Sequence, residues 1–480
     1  MTAHPLSRRI SDVLDLAPDA SAIEYGDQWF TYADLAGLAG RMDAVVRGRG
    51  QVGMLLRNRP AHIAAFLGVL VAGGTVVVIN PSRGDDRTKA DIAALDLPVI
   101  IGETEDLTTL VGDESSSTVV EISTLGAQPR TLRAGAGHID TRKNVAVRML
   151  TSGTTGPPKR IDLTYDMLAH SVIGPDPQNS KAPTDVRGGV AIVSAPLVHI
   201  GGVFRVLQCV AEARPFALLD RFDLDRWADT VRRHRPRAVS LVPAALRTVL
   251  HSALRREDLD SIRAVTSGTA PLSADDADAF QEKFGIPVLT SYAATEFGGG
   301  VAGWTLADHR QHWRAKRGSV GRANPGAQLR VVDDDGNPLG PDQPGLLEVK
   351  PAQLGPSADW MRTTDLARID ADGFLWILGR ADQAIIRGGF KVIPDDVRAA
   401  LESHPAVQGA AVVGRPHDRL GETPIAVVEL REGESVGPAE LTEFLSNRLA
   451  RYEIPTEIAI VDAIARTPSG KPDLSAIRGG

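Results

Sequence analysis

The sequence predicts an α/β fold over its first three quarters, and three observations carry that prediction. Short apolar runs recur along this part of the chain: PVII, GVAIVSA, AVSLVP, IRAVTSG and IPVLTSY. Helical or polar segments separate them, among them DLDRWADTVRRHRP and SADDADAFQEKFG. The third observation is IAAFLGVLVAGGTVVVIN, Ile63 to Asn80, where Ala, Leu and Phe give way at Gly73-Gly74 to the β-branched Thr75-Val76-Val77-Val78-Ile79. This stretch is nearly long enough to span a membrane, yet its texture is that of a helix, a glycine break and a buried strand. Such a helix–strand step is the building unit of a parallel sheet covered by helices.

The pattern changes after Gly321. AQLRVVDDDGNPLG, GLLEVK and DGFLWILG predict closely spaced short strands and turns, and DDDGNPLG carries the turn residues that close a hairpin. Beyond Arg380 the segments AIIRGGF, PDDVRAALESHP, GAAVVGRP, TPIAVVEL and AELTEFLSNRLARYEIP have compact βαβ-like content of their own. A tail of about 100 residues is the right size for a separate small domain. The expected boundaries are therefore 1–380 for the large N-terminal body and 381–480 for the small C-terminal domain.

Composition narrows the functional classes. At 480 residues, with 43% hydrophobic and 24% charged side chains, the chain is an ordinary globular protein able to bury a sizeable core. Its net charge of −7 and the lack of a basic stripe with interleaved aromatics argue against nucleic acid as a partner. The single cysteine, Cys209 in GVFRVLQCV, has no partner for an internal disulfide and reads as a small core residue rather than a nucleophile. The N-terminal twenty residues contain no uninterrupted apolar region of a secretory signal, so a cytoplasmic location is expected.

The stretch TSGTTGPPKR, Thr151 to Arg160, concentrates hydroxyls, glycines and a lysine. Ser, Thr and Gly let backbone N–H groups approach an anion, hydroxyls add donors, and Lys159 adds a point charge, which is the chemistry of a phosphate cradle. It is not a Walker A loop, since Pro157-Pro158-Lys159-Arg160 follows Gly156 where Gly-Lys-Ser/Thr is required. The chain has 44 arginines and only nine lysines, so a lysine kept in a glycine-rich setting points to a need for a compact, movable ammonium. Three lysines stand in such settings: Lys159, Lys391 and Lys471.

Seven segments in order now carry a family resemblance: LTSGTTGPPK (150–159), PLVHIGG (196–202), SGTAPL (267–272), SYAATE (291–296), RTTDL (362–366), DGFLWILGRADQAIIRGGFKVIPDDV (372–397) and TPSGK (467–471). The set resembles the adenylate-forming superfamily of acyl-CoA synthetases, adenylation domains and beetle luciferases, and is most like an acyl- or aryl-CoA synthetase. The resemblance implies two α/β subdomains and a β-rich one in the N-terminal body, with a small α+β domain attached at a hinge, Asp382. It also implies the reaction: a carboxylic acid attacks the α-phosphorus of ATP, pyrophosphate leaves, and the thiol of coenzyme A takes the acyl group from the acyl adenylate. Two anions meet in the first step, so catalysis is mostly positioning and charge neutralisation.

Roles follow from the resemblance. The loop Thr151, Ser152, Gly153, Thr154, Thr155, Gly156 and Lys159 would hold the β- and γ-phosphates. Thr295 would bond the α-phosphate and Glu296 would ligate Mg²⁺, a hard cation suited to a carboxylate and phosphate oxygens. Tyr292, with Ser267, Gly268, Thr269 and Ala270, would face adenine, and Asp365, assisted by Arg380, would accept the ribose hydroxyls. Lys471 would swing in with the small domain to bridge the attacking carboxylate and the α-phosphate. Lys391, Gly388 and Gly389 would serve the second geometry, lining a channel for pantetheine.

By motif matching the acyl pocket is bordered by His199, Ile200, Gly201, Val242, Ser291, Ala293, Gly298 and Gly299. PLVHIGG has no aspartate to anchor an α-amine, which disfavours amino acids, and His199 suits packing or gating since a carboxylate substrate needs no base. The run Phe297-Gly298-Gly299-Gly300 is expected to leave space for a bulky or extended apolar acid. Four positions depart from the family pattern: Arg160 and Ala293 where Gly is usual, Thr364 in place of the Gly of RTGD, and Asp396 where Glu is common. Two other readings use the same residues: an enzyme that loads an acyl carrier protein, and a nucleotide-binding module without catalysis. The sequence leaves oligomeric state open, a homodimer included.

Overall fold

The Ile63–Asn80 stretch folds as its texture predicts. Helix Pro60–Val71 opens on a proline, whose missing N–H is no loss at a helix start, and after the glycine pair strand Thr75–Ile79 is buried at all five positions. In the computed structural model, which describes residues 3–139, 144–151, 159–388, 390–467 and 471–479, this strand is an interior strand of a seven-stranded sheet. Its neighbours, Gln51–Leu55 and Val145–Thr151, run parallel to it. A side chain at Gly68 would place its Cβ 2.4 Å from the Ala39 carbonyl oxygen, so helix Pro60–Val71 packs directly on the backbone of helix Tyr32–Val46.

Among the described residues the strands form five sheets. A second α/β layer sets Ala238–Ser240, Ala264–Ser267 and Val288–Ala294 in parallel register, then adds the antiparallel strands Gly299–Gly303 and Arg322–Ala323. A smaller sheet joins Ala191–Val193 and Phe216–Leu218 to the N-terminal hairpin Ser21–Tyr25 and Gln28–Thr31. The change of pattern after Gly321 marks an all-antiparallel sheet: Gln328–Val332, Gly345–Lys350, Met361–Ile369 and Leu375–Arg380. DDDGNPLG turns the chain between its first two strands, with the Asn337 N–H donating to Asp333 Oδ1 and Gly336 at φ +90°.

The last sheet, built from Ile385–Arg387, Phe390–Val392, Val407–His417, Gly421–Leu430 and Glu457–Val461, has its own core around Val397, Leu401, Val428 and Leu441. Strand Glu457–Val461 returns parallel to Gly421–Leu430 after helix Pro438–Ser446, a true βαβ crossover. Cys209 is 2% exposed, and burial pushes its thiol up to about 11, so it is an inert core residue. No helix among the described residues is long and apolar enough to cross a membrane.

Candidate active site

Segments predicted to carry chemistry sit at the carboxyl ends of parallel strands, where open α/β sheets leave a crevice. Strand Ala264–Ser267 runs into Gly268, Thr269 and Ala270. Thr269 holds φ +72°, rare for a β-branched residue and a mark of backbone shaped for a site. A Cβ at Gly268 would lie 2.9 Å from Ser291 Oγ, so this loop rides directly on strand Val288–Ala294. That strand carries Ser291, Tyr292 and Ala293, shifts register between Tyr292 and Ala293, and passes into the 3₁₀ turn Thr295–Phe297 with Thr295 and Glu296.

A half-buried carboxylate sits opposite. Asp365 pairs in register with Arg380 across two antiparallel strands, and the Tyr292 hydroxyl donates to Asp365 Oδ2. Burial is the main force raising the Asp365 pKa, against the lowering effects of the Tyr292 hydrogen bond and the Arg380 charge. Arg380 is not aimed at Asp365 alone. Its Nε and Nη2 donate to Asp382 at 2.9 and 2.7 Å, and Nη2 also donates to Thr364 Oγ1. The hydroxyl that replaces a glycine at Thr364 thus helps tie Arg380 to the turn Ala381–Gln383 that leads into the last sheet.

Lys471 reaches this group from the C-terminal segment. Its carbonyl accepts from the Thr467 N–H at 2.7 Å, closing the turn that presents it. Solvent reaches the residue, yet the surrounding protein lowers its pKa below the ordinary lysine value; loss of water is the first cause and Arg380 adds repulsion, while Asp365 and Glu296 attract. The four charges that the sequence placed far apart therefore share one field.

Thr151 and Lys159 are partners at the open end of an antiparallel hairpin, Val145–Thr151 with Lys159–Thr164, and Thr151 Oγ1 donates to the Lys159 carbonyl at 3.1 Å. The chain leaves the loop into a strand, unlike a Walker A loop, which leads into a helix. Ser152, Gly153, Thr154, Thr155 and Gly156 lie outside the described residues, as does Gly389. The exit strand packs against the turn bearing Thr295 and Glu296. Arg160, which stands where the family usually has Gly, turns inward: it donates to the Val78 carbonyl at 2.9 Å and to Asp91 at 2.6 Å with its side chain 10% exposed. Gly388 holds φ +58°, and Lys391 stands opposite Ile386 in strand Phe390–Val392.

Of the residues expected to border the acid, His199 stands at the N-cap of helix Ile200–Ala211, which includes Gly201, and Val242 at the N-cap of helix Pro243–His251; the strands preceding them, Ala191–Val193 and Ala238–Ser240, pack side by side. One expectation is corrected here. The glycine run does not leave space: a Cβ at Gly298, φ +69°, would lie 2.8 Å from Met167 Cε, and one at Gly299 would lie 3.1 Å from both Ser171 Oγ and Gln353 Nε2. The glycines let helix Tyr165–Val172 approach, and Ser171 Oγ donates to the Gly298 carbonyl at 2.8 Å. Sequence reasoning also missed Asn58. This buried side chain donates to the carbonyls of Ala195 and Leu219 and accepts from the Leu197 N–H at 2.9 Å, holding PLVHIGG in place.

A cavity of about 580 Å³ lined by Arg256, Arg263, Trp313 and Arg314 lies elsewhere, at the amino ends of strands Ala264–Ser267 and Val288–Ala294. Its position is opposite to the crevice, and it is not the candidate site.

The AMP-binding enzyme family matches residues 12–356, and the AMP-binding enzyme C-terminal domain matches residues 396–471. The chain belongs to the AMP-binding enzymes. It is 31% identical to 4-coumarate–CoA ligase 1 of Oryza sativa subsp. japonica, over 92% of this chain and 86% of that one. It is 28% identical to feruloyl-CoA synthase of Amycolatopsis sp, over 95% of each. ATP-bound MatB from Rhodopseudomonas palustris, 26% identical and covered at 100% and 99%, overlays with a TM-score of 0.82, whereas the apo form of the same protein gives 0.70. The chain is an ATP-dependent, AMP-forming acyl-CoA synthetase, which joins a carboxylic acid to the thiol of coenzyme A.

Proposed function

We propose that the reaction is carried by Lys471 acting with the nucleotide site of the large body, on an aromatic carboxylic acid of the kind named for the 4-coumarate and feruloyl relatives. The observation that carries this reading is the shared field of Lys471, Glu296, Asp365 and Arg380. An ammonium brought beside two carboxylates and the α-phosphate position offsets the repulsion between an attacking carboxylate and a triphosphate, the main barrier to adenylation. The better overlay on ATP-bound than on apo MatB supports the view that the small domain is set for this first step.

The remaining roles follow the same plan. Thr151, Lys159 and the loop between them hold the β- and γ-phosphates, and Thr295 bonds the α-phosphate. Tyr292 and the Ser267–Ala270 loop bind adenine, and Asp365 accepts from the ribose. His199, Ile200, Gly201, Val242, Ser291 and Ala293 border the acid, with Gly298 and Gly299 contributing backbone. Asp382 is the hinge between 1–380 and 381–480, and Gly388, Gly389 and Lys391 serve the thiol step.

The residues present suit Mg²⁺ bound through substrate. Glu296 is exposed, and among the described residues no three His, Cys, Asp or Glu side chains gather into a metal cage. A cation that keeps its waters and is completed by phosphate oxygens needs only such a single carboxylate. When bound, it would neutralise phosphate charge.

The test is a pyrophosphate-release screen with ATP, Mg²⁺ and a panel of aryl, medium-chain, long-chain and polycyclic acids. Release that depends on an aryl or polycyclic acid, followed by thioester formation with coenzyme A, is expected. Release of phosphate without any acid would rule the reading out.

A further inference from the structure

Helix Pro243–His251 of the large body and helix Pro394–Glu402 of the small domain meet through charges that a sequence pattern treats as ordinary helix-surface residues. Arg247 Nε donates to Asp276 Oδ2 at 2.7 Å, and its Nη2 donates to Glu402 Oε2 at 2.9 Å. The same Glu402 oxygen accepts from Arg398 Nη1 at 2.7 Å, and Glu402 Oε1 accepts from the Ala410 N–H at 3.4 Å. The Arg247 and Glu402 side chains are 11% and 6% exposed. This is not a screened surface pair.

A buried charge that loses its only partner is strongly destabilising, so a contact that must open needs a spare partner on each side. Both sides have one. If the domains part, Arg247 keeps Asp276 within the large body, and Glu402 keeps Arg398 and the Ala410 N–H within the small domain. The arrangement suits a contact that is made and released. Its position also links the two ends of the chemistry: Val242, on the acyl border, caps the helix of Arg247, while the helix of Glu402 directly follows the strand of Lys391.

We propose that Arg247 and Glu402 form a latch that positions the small domain so that Lys471 reaches the nucleotide site, and that this latch opens for the thiol step. Arg247 and Glu402 touch no substrate and act through the placement of Lys471. The latch rests on the role given to Lys471 under the proposed function.

The test uses the full-length chain and the variants Arg247→Gln, Glu402→Gln and the double substitution. Two half-reactions are measured: pyrophosphate release with the panel acid that the wild type uses fastest, and thioester formation from that acid's presynthesised adenylate and coenzyme A. Each single variant is expected to slow pyrophosphate release about tenfold, with little further loss in the double, because both remove one interaction. Thioester formation should stay within about twofold of wild type, which also shows that the variants are folded. Unchanged pyrophosphate release, equal loss of both half-reactions, or losses that multiply in the double variant would each overturn the latch. A wild type that releases no pyrophosphate with any acid would take down the assignment of Lys471 and the latch together, whereas an active wild type with unaffected variants removes the latch alone.

Discussion

The Tyr292 hydroxyl donates a hydrogen bond to Asp365, joining the last parallel strand of the second α/β layer to the antiparallel sheet that follows it. Both groups are half-buried, and burial is the first cause of the rise in each pKa; the Asp365 charge raises Tyr292 further, whereas the Tyr292 hydrogen bond opposes the rise at Asp365. The bond fixes one carboxylate oxygen; under the proposed function the other accepts from a ribose hydroxyl.

Tyr292→Phe is therefore expected to raise the KM for ATP about five- to tenfold, the ~1 kcal/mol of one hydrogen bond, with kcat within about twofold. Asp365→Asn should cost more, since it removes a charged acceptor. Steady-state kinetics at saturating acid checks both. An unchanged KM in Tyr292→Phe would show that the bond positions nothing.

Arg160 is the next handle, because its charge is buried against Asp91. Arg160→Gly leaves Asp91, 19% exposed, without its partner and is expected to cost about 2 kcal/mol, seen as a drop of about 2 °C in Tm for a chain of this length. Adding Asp91→Ala should recover part of that loss, since removing both charges leaves none unpaired. A double variant less stable than Arg160→Gly would contradict the pairing.

Asp396 gives a pH signature. Burial, then Glu453 and Asp395, push its carboxyl up to about 6, with Arg398 opposing. The folded pKa lies above the unfolded value of about 4, so the folded state binds this proton more tightly. Its stabilising contribution is present below pH ~4 and is lost as pH rises through ~6. Solvent still reaches the side chain and screens it, which holds the effect below about 1 kcal/mol. Asp396→Asn should therefore gain on wild type in Tm between pH 4.5 and 7.5. A gap that narrows as pH rises would refute the sign.

The parallel layers were legible because an apolar run after a helix and a glycine break has few ways to bury itself, and Ile63–Asn80 shows that economy. The site residues were legible as motifs in chain order. What stayed hidden depends on distant partners. A glycine in sequence shows only a missing Cβ, not that Met167 fills the gap beside Gly298. Asn58 in LLRNRP reads as a loop residue until the carbonyls of Ala195 and Leu219 are seen around it. Arg247 and Glu402 read as solvated helix charges, because nothing local says that another domain covers them.

The most direct measurement separates the two half-reactions in Lys471→Ala. Acid-dependent pyrophosphate release is expected to fall at least about 100-fold, the scale for removing a charge aimed at a developing transition state, while thioester formation from supplied acyl adenylate and coenzyme A stays within about threefold. Equal loss of both would contradict the assignment of Lys471 to the first step.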